Sequence, residues 1–353
     1  MTIPLGLVAA LTLAAASAAD LPTTSGSTPP AEPVAALTVS LLKDRFTEAV
    51  DIDAKNKILV QIAKTSPTTS QDVSALFDLF SRFPDNAVRK AVMDSLALIP
   101  PDSPQIEPLF ITYLKEPEQE SQLFGINGAF RVRSRQALPL IRAIANRKFA
   151  APNATETTVL SERNAWWTQF EALSVLAQWE GDKALSLLRK KSLESPAIGR
   201  LLGRFYWKQT LPQLKEWSLS SNQNSRERAV NAASASIEPA DARATREEML
   251  AIMRDSKVDR DVRHQLALKV GLSSTDEEIE ALLGEHDAVK NDSDRLFWAA
   301  ALFISRNPKI APLLVRYARN TSDDALRLGA TSQLEDMFGP AEASRMIEGD
   351  KKK

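Results

Sequence analysis

The chain contains no cysteine. That absence excludes disulfides, thiolate metal sites, cysteine catalysis and a lipidated N-terminal cysteine. Histidine is almost as scarce: His264 and His286 are the only two in 353 residues. A His-rich metal site or a His-based proton relay is therefore not expected. Excess charge is missing as well. Forty-four basic residues face 45 acidic ones, for a net charge of −1, so no global field draws in nucleic acid or a membrane surface. No Gly-rich phosphate loop, HExxH or Gly-x-Ser-x-Gly occurs. These gaps predict a non-enzymatic protein with no catalytic residue, cofactor or resident metal.

Glycine, at 12 residues, is sparse, while Ala, Leu, Arg and Glu are abundant, a balance that favours helix over sheet. Residues 1–19, MTIPLGLVAALTLAAASAA, carry no charged side chain. Their apolar run over 5–16 has the length of a signal-peptide core, and small residues at 16–19 suit signal peptidase. No Lys or Arg precedes that core; the alternative is an uncleaved N-terminal membrane anchor. Residues 20–36 are rich in Pro, Ser and Thr and are expected to be a disordered tether. No later segment is apolar enough to span a bilayer, so the expectation is a periplasmic or secreted protein without a membrane span after signal cleavage.

From residue 37 the apolar positions recur at intervals of three and four, the period of an amphipathic helix. Val73, Leu76, Phe77, Leu79, Phe80 and Phe83 form one such set, and Ile106, Leu109, Phe110, Tyr113 and Leu114 another. Breaks at Phe83-Pro84-Asp85, Pro100-Pro101-Asp102 and Asn307-Pro308 end helices after short runs. Short helices joined by short turns pack as antiparallel hairpins.

Aligning one type of turn exposes a register. Asp85, Asn224, Asp259, Asn291 and Asp323 each read as a helix N-cap. Four residues later each has an arginine: Arg89, Arg228, Arg263, Arg295 and Arg327. Eleven residues after each cap stands an apolar residue: Leu96, Ala235, Val270, Leu302 and Leu334. The last four caps are 35, 32 and 32 positions apart. Weaker units start near Glu118, at Asn164, and at Ser195 with Pro196.

Asp85-Asn86-Ala87-Val88-Arg89-Lys90-Ala91 carries the clearest copy of this pattern, with looser copies at Asp259–Arg263 and Asp323–Arg327. It resembles the second helix of the HEAT repeat and of its shorter bacterial relatives of the phycobilisome-lyase type. The resemblance covers roughly residues 37–350. It implies an all-α fold: an α-solenoid of about nine antiparallel helix hairpins, a HEAT-like or armadillo-type superhelix, in which no hairpin buries its apolar face alone. It also implies ladders between neighbouring repeats, carried here by Asp85/Arg89, Asp259/Arg263 and Asp323/Arg327, and a binding face built from the second helices.

One unit is long. Glu118 and Asn164 are 46 positions apart, and the excess falls in an insertion over 146–163. Such a loop is either disordered or used to grip a partner. It adjoins a basic stretch: residues 121–155 contain no acidic side chain but hold Arg131, Arg133, Arg135, Arg142, Arg147 and Lys148. Guanidinium groups without local carboxylates suit an acidic peptide, a phosphate or an acidic glycan; the alternative is a solvated face balanced by neighbouring repeats. Adjacent Trp166 and Trp167 cannot both face inward on a helix, which leaves one for the same surface. Trp179, Trp207, Trp217 and Trp298 are expected in the core. Residues 276–294 are acidic in turn, so head-to-tail self-association is conceivable.

The expected function is an exported scaffold that binds another protein or an acidic peptide or glycan, without nucleic acid. The alternative is a cell-envelope enzyme, or its accessory subunit, acting on cell-wall or glycan substrates.

Overall fold

The computed structural model describes residues 38–101, 103–149, 159–321 and 323–349. The expected signal (1–19) and tether (20–36) lie outside them. Among the described residues there are twenty α-helices, three short 3-10 turns and no strand. In chain order they are α1 (Val39–Glu48), α2 (Ile52–Ala63), α3 (Ser70–Arg82), α4 (Asn86–Ala97), α5 (Glu107–Lys115), α6 (Gln119–Arg131), α7 (Leu138–Asn146), α8 (Val159–Glu180), α9 (Asp182–Glu194) and α10 (Gly199–Phe205). There follow α11 (Trp207–Leu219), α12 (Gln223–Ser234), α13 (Pro239–Ala244), α14 (Arg246–Arg254), α15 (Arg260–Ser273), α16 (Asp276–Ala288), α17 (Asp292–Ser305), α18 (Ala311–Asn320), α19 (Asp324–Phe338) and α20 (Pro340–Glu348).

The helices pack principally against partners no more than three helices away in sequence. Chain neighbours such as α1–α2, α5–α6, α11–α12, α16–α17 and α18–α19 lie against each other. One row of contacts links α2, α4, α6, α8, α10, α12, α15 and α17 in succession. The apolar periodicity explains this row. Phe124, Leu173, Leu266 and Leu302 are buried on it, and Phe80, Phe110 and Leu211 on the helices beside it; each buried side chain of this size contributes about 1.5–3 kcal/mol. Glycine brings the backbones close where the row is tightest. A Cβ on Gly203 would stand 2.1 Å from the Ala232 carbonyl oxygen, and one on Gly271 would stand 2.0 Å from that of Ala301.

Asp85 and Asp259 cap α4 and α15 as their spacing predicts, accepting from Ala87 N–H at 2.7 Å and Asp261 N–H at 2.8 Å. Asp323 accepts from Leu326 N–H at 3.1 Å. Two expected starts are displaced. Asn222, not Asn224, caps α12, accepting from Ser225 N–H at 3.3 Å. Two asparagines of equal capping strength compete there, and the helix takes the earlier one. Asn164 does not start a helix: it lies inside α8, which already begins at Val159. Residues 159–163 contain no Gly or Pro to stop a helix, so the insertion shrinks to the segment after α7, of which 150–158 lie outside the described residues.

Two of the expected arginines do pair across helices, but with a different acid. Arg89 reaches Glu120 on α6 at 3.6 Å, and Arg263 reaches Asp294 on α17 at 2.8 Å. Both acids sit in the first turn of the next helix in the row, where the dipole favours them, while the cap aspartates spend their oxygens on their own amides. Arg327 forms no ladder; it pairs with Asp324 on its own helix.

Candidate partner-binding clefts

The sequence Arg131-Val132-Arg133-Ser134-Arg135 closes α6. Val132 and Ser134 are each 3% exposed, so the three arginines between and beside them turn outward together. Arg133 takes φ = 54°. It occupies the left-handed position of a Schellman stop, with its N–H on the Phe130 carbonyl at 3.2 Å and Ser134 N–H on the Ala129 carbonyl at 3.0 Å. Glycine is the usual residue there. Ser134 anchors the turn from below: its hydroxyl donates to Glu107 at 2.5 Å and accepts from Ala137 N–H at 3.2 Å.

These side chains border an open cleft of about 1000 Å³, lined also by Ile99, Leu138, Arg142, Trp179 and Lys183. Its floor is aromatic. Phe130 and Trp179 stack with centroids 5.9 Å apart at 26°, and the Arg131 guanidinium lies 5.6 Å from the Phe130 ring centre. Five cations line the cleft against one carboxylate, Glu180. Glu180 is already engaged by Arg142, which bridges α7 to the end of α8. Among the described residues, Arg131, Arg133, Arg135 and Lys183 have no carboxylate at ion-pair distance. The Gly181 turn that follows Glu180 is held by Tyr206, whose hydroxyl donates to the Gly181 carbonyl at 2.6 Å. Burial, with Asp182 and Glu180 nearby, pushes that phenol up to about 12, so it stays a neutral donor.

The remaining expected site residues lie elsewhere. Arg147 donates to Gln122 Oε1 at 2.7 Å, and Lys148 is exposed beyond the end of α7. Trp166 is half-buried, stacked on Phe170 at 5.0 Å, with its indole N–H on Ser195 Oγ at 3.3 Å. Trp167 is 39% exposed and meets Trp166 edge-on. Neither tryptophan lines the cleft. Trp179 packs half-buried against the core and also lines the cleft floor, while Trp207, Trp217 and Trp298 are buried. The acid-free basic stretch pointed to Arg131, Arg133, Arg135 and Arg142 in the cleft. Trp179 is 48 positions away in sequence, and nothing local marks it.

A second cleft, of about 860 Å³, opens beside α16 and α18. His286 is buried in the last turn of α16 at 1% exposure. Its Nδ1 lies 2.9 Å from Asp287 Oδ1 and its Nε2 2.8 Å from Tyr317 Oη. A carboxylate only accepts, so Nδ1 carries the proton and Nε2 accepts from the tyrosine hydroxyl. Burial pulls the imidazole below its ordinary value, against the opposing pull of Asp287. Asp287 in turn is held low by Arg316, which donates to it at 2.8 Å. The acids of 276–294 are broadly engaged in this way: Glu278 meets Arg246, Glu280 meets Lys309, Glu285 meets Arg254 and Asp294 meets Arg263.

No protein-family model matches this chain, and no curated protein matches it.

Proposed function

We propose that the chain is an exported, HEAT-like helical scaffold that holds an acidic partner in the Arg131–Arg133–Arg135 cleft. The contact row from α2 to α17 supports a solenoid of about nine hairpins stacked unit on unit. The observation that carries the binding reading is the cleft itself. It places four cations that pair with no carboxylate among the described residues around a stacked Phe130–Trp179 floor. Cations set around an aromatic surface favour carboxylates next to aromatic or aliphatic groups. An acidic peptide segment with interspersed aromatic residues has that chemistry. The uncharged 1–19 segment supports export, because its small-residue end suits signal peptidase.

Fluorescence anisotropy with a labelled Asp/Glu-rich peptide containing aromatic residues tests the reading. Wild-type protein should bind saturably, and added salt should weaken binding. Arg131→Ala/Arg133→Ala/Arg135→Ala should cost at least about tenfold in Kd. Equal affinity in the triple variant would sink the cleft as the binding site. For export, N-terminal sequencing of the chain produced in a bacterial host should find cleavage near residues 18–19 and the product in the periplasmic fraction. An intact Met1 on cytoplasmic protein would contradict it.

A further inference from the structure

Three arginines on helices of the row, Arg89, Arg228 and Arg263, each lie over an aromatic ring. The guanidinium carbon is 5.0 Å from the Phe80 centroid, 4.3 Å from Trp217 and 4.4 Å from Phe297, respectively. Two of the three also meet an acid from the next helix in the row, Glu120 and Asp294. Arg228 does not. The matching positions at the start of α15 are Asp261 and Val262. Val262 is buried in the core, and Asp261 is exposed, out of ion-pair reach.

Arg228 is nevertheless only 7% exposed. Its side-chain contacts are two long ones, to Ser192 Oγ at 3.4 Å and Ser225 Oγ at 3.5 Å. Its Nε is buried without an acceptor. The Nε of Arg89 is too, but that guanidinium has Glu120. The exposed Glu216 carboxylate favours this cation from outside ion-pair distance, and a buried cation without a directly paired counter-charge is costly. At this one, the surface opens into a small cleft of about 400 Å³ lined by Glu216, Trp217, Leu219, Ser220, Ser225 and Arg228.

We propose that this cleft is an oxyanion site, in which Arg228 takes the carboxylate or phosphate that the ladder acid supplies elsewhere in the row. Trp217 forms the floor under the guanidinium, and the hydroxyls of Ser225 and Ser220 are at hand as donors. Glu216 is exposed at the rim and acts against an anion, which limits affinity and gives the site a second testable feature. The site is independent of the Arg131 cleft. The anion has two sources, a free small oxyanion or the side-chain carboxylate of a bound peptide.

The experiment uses the full chain carrying Arg131→Ala/Arg133→Ala/Arg135→Ala, so that the larger cleft is silent. Thermal denaturation is followed against inorganic phosphate, acetate, and a terminally blocked peptide with one Asp, at ionic strength held constant with NaCl. A saturable rise in Tm is expected with at least one of them, lost in Arg228→Gln. Tighter binding by the peptide than by acetate would assign the carboxylate to a partner; equal or stronger binding of the free ions would assign a small-molecule anion. Glu216→Gln should tighten binding about two- to fivefold, the effect of removing one surface charge. No saturable shift with any probe, or a shift that survives Arg228→Gln, would overturn the proposal. Should Arg228→Gln not fold, Glu216→Gln decides: an unchanged midpoint of the titration overturns it.

Discussion

At Arg133 the backbone holds a conformation that side chains other than glycine rarely adopt, at φ = 54°. Such a residue costs roughly 1 kcal/mol or more. Arg133→Gly removes that strain but gives the unfolded chain more freedom. A net gain in stability of up to about 1 kcal/mol is expected, or about 2 °C in Tm, together with weaker binding of the acidic peptide. A variant that is less stable, or that binds as tightly as wild type, would show that Arg133 serves the fold and not the cleft. His286 makes a second prediction at this scale. Its folded value lies below the ordinary 6.5, so the unfolded state binds the proton more readily. Stability is fully present above about pH 6.5 and falls as the pH drops through that value towards the lowered one. His264, also lowered by burial, adds in the same direction. Urea midpoints measured from pH 8 to pH 5 should therefore fall, and fall less in His286→Gln. A midpoint that holds steady or rises on acidification would contradict this.

Helix–helix approach is decided at a few small side chains. Gly271 lets α15 lie against α17, with the Ala301 carbonyl where a Cβ would go. Gly271→Ala forces the two helices apart and should cost about 1–3 kcal/mol. Gly284 has open space around the same position, and Gly284→Ala should be neutral or slightly stabilising. Equal unfolding midpoints for the two variants would mean that the α15–α17 contact is not tight. Much at this scale was legible in the sequence. Asp85 and Asp259 cap where their spacing says, and Leu96, Val270, Leu302 and Leu334 are all buried. Helix starts without a unique signal were not legible, as Asn222 and Asn224 show, since local spelling cannot rank two equal caps. The ladder was readable from its arginines but not from its acids. Which first-turn carboxylate meets Arg89 or Arg263 depends on the rotation of the next helix. The cleft was half visible for the same reason: residues 131–135 alternate locally, whereas Trp179 and Lys183 arrive by packing of α8 and α9.

For the molecule as a whole, the decisive feature is that packing partners are chain neighbours. A hairpin stack of the proposed kind grows in one direction, by about 8–10 Å for each added hairpin. The described residues from Thr38 onward form one packing unit, which under the proposed function is an open stack and not a globule closed on itself. Small-angle X-ray scattering on residues 38–353 measures the difference directly. An open stack of about nine hairpins predicts a radius of gyration of about 25–30 Å. A value near 20 Å, that of a compact globule of this length, would contradict it.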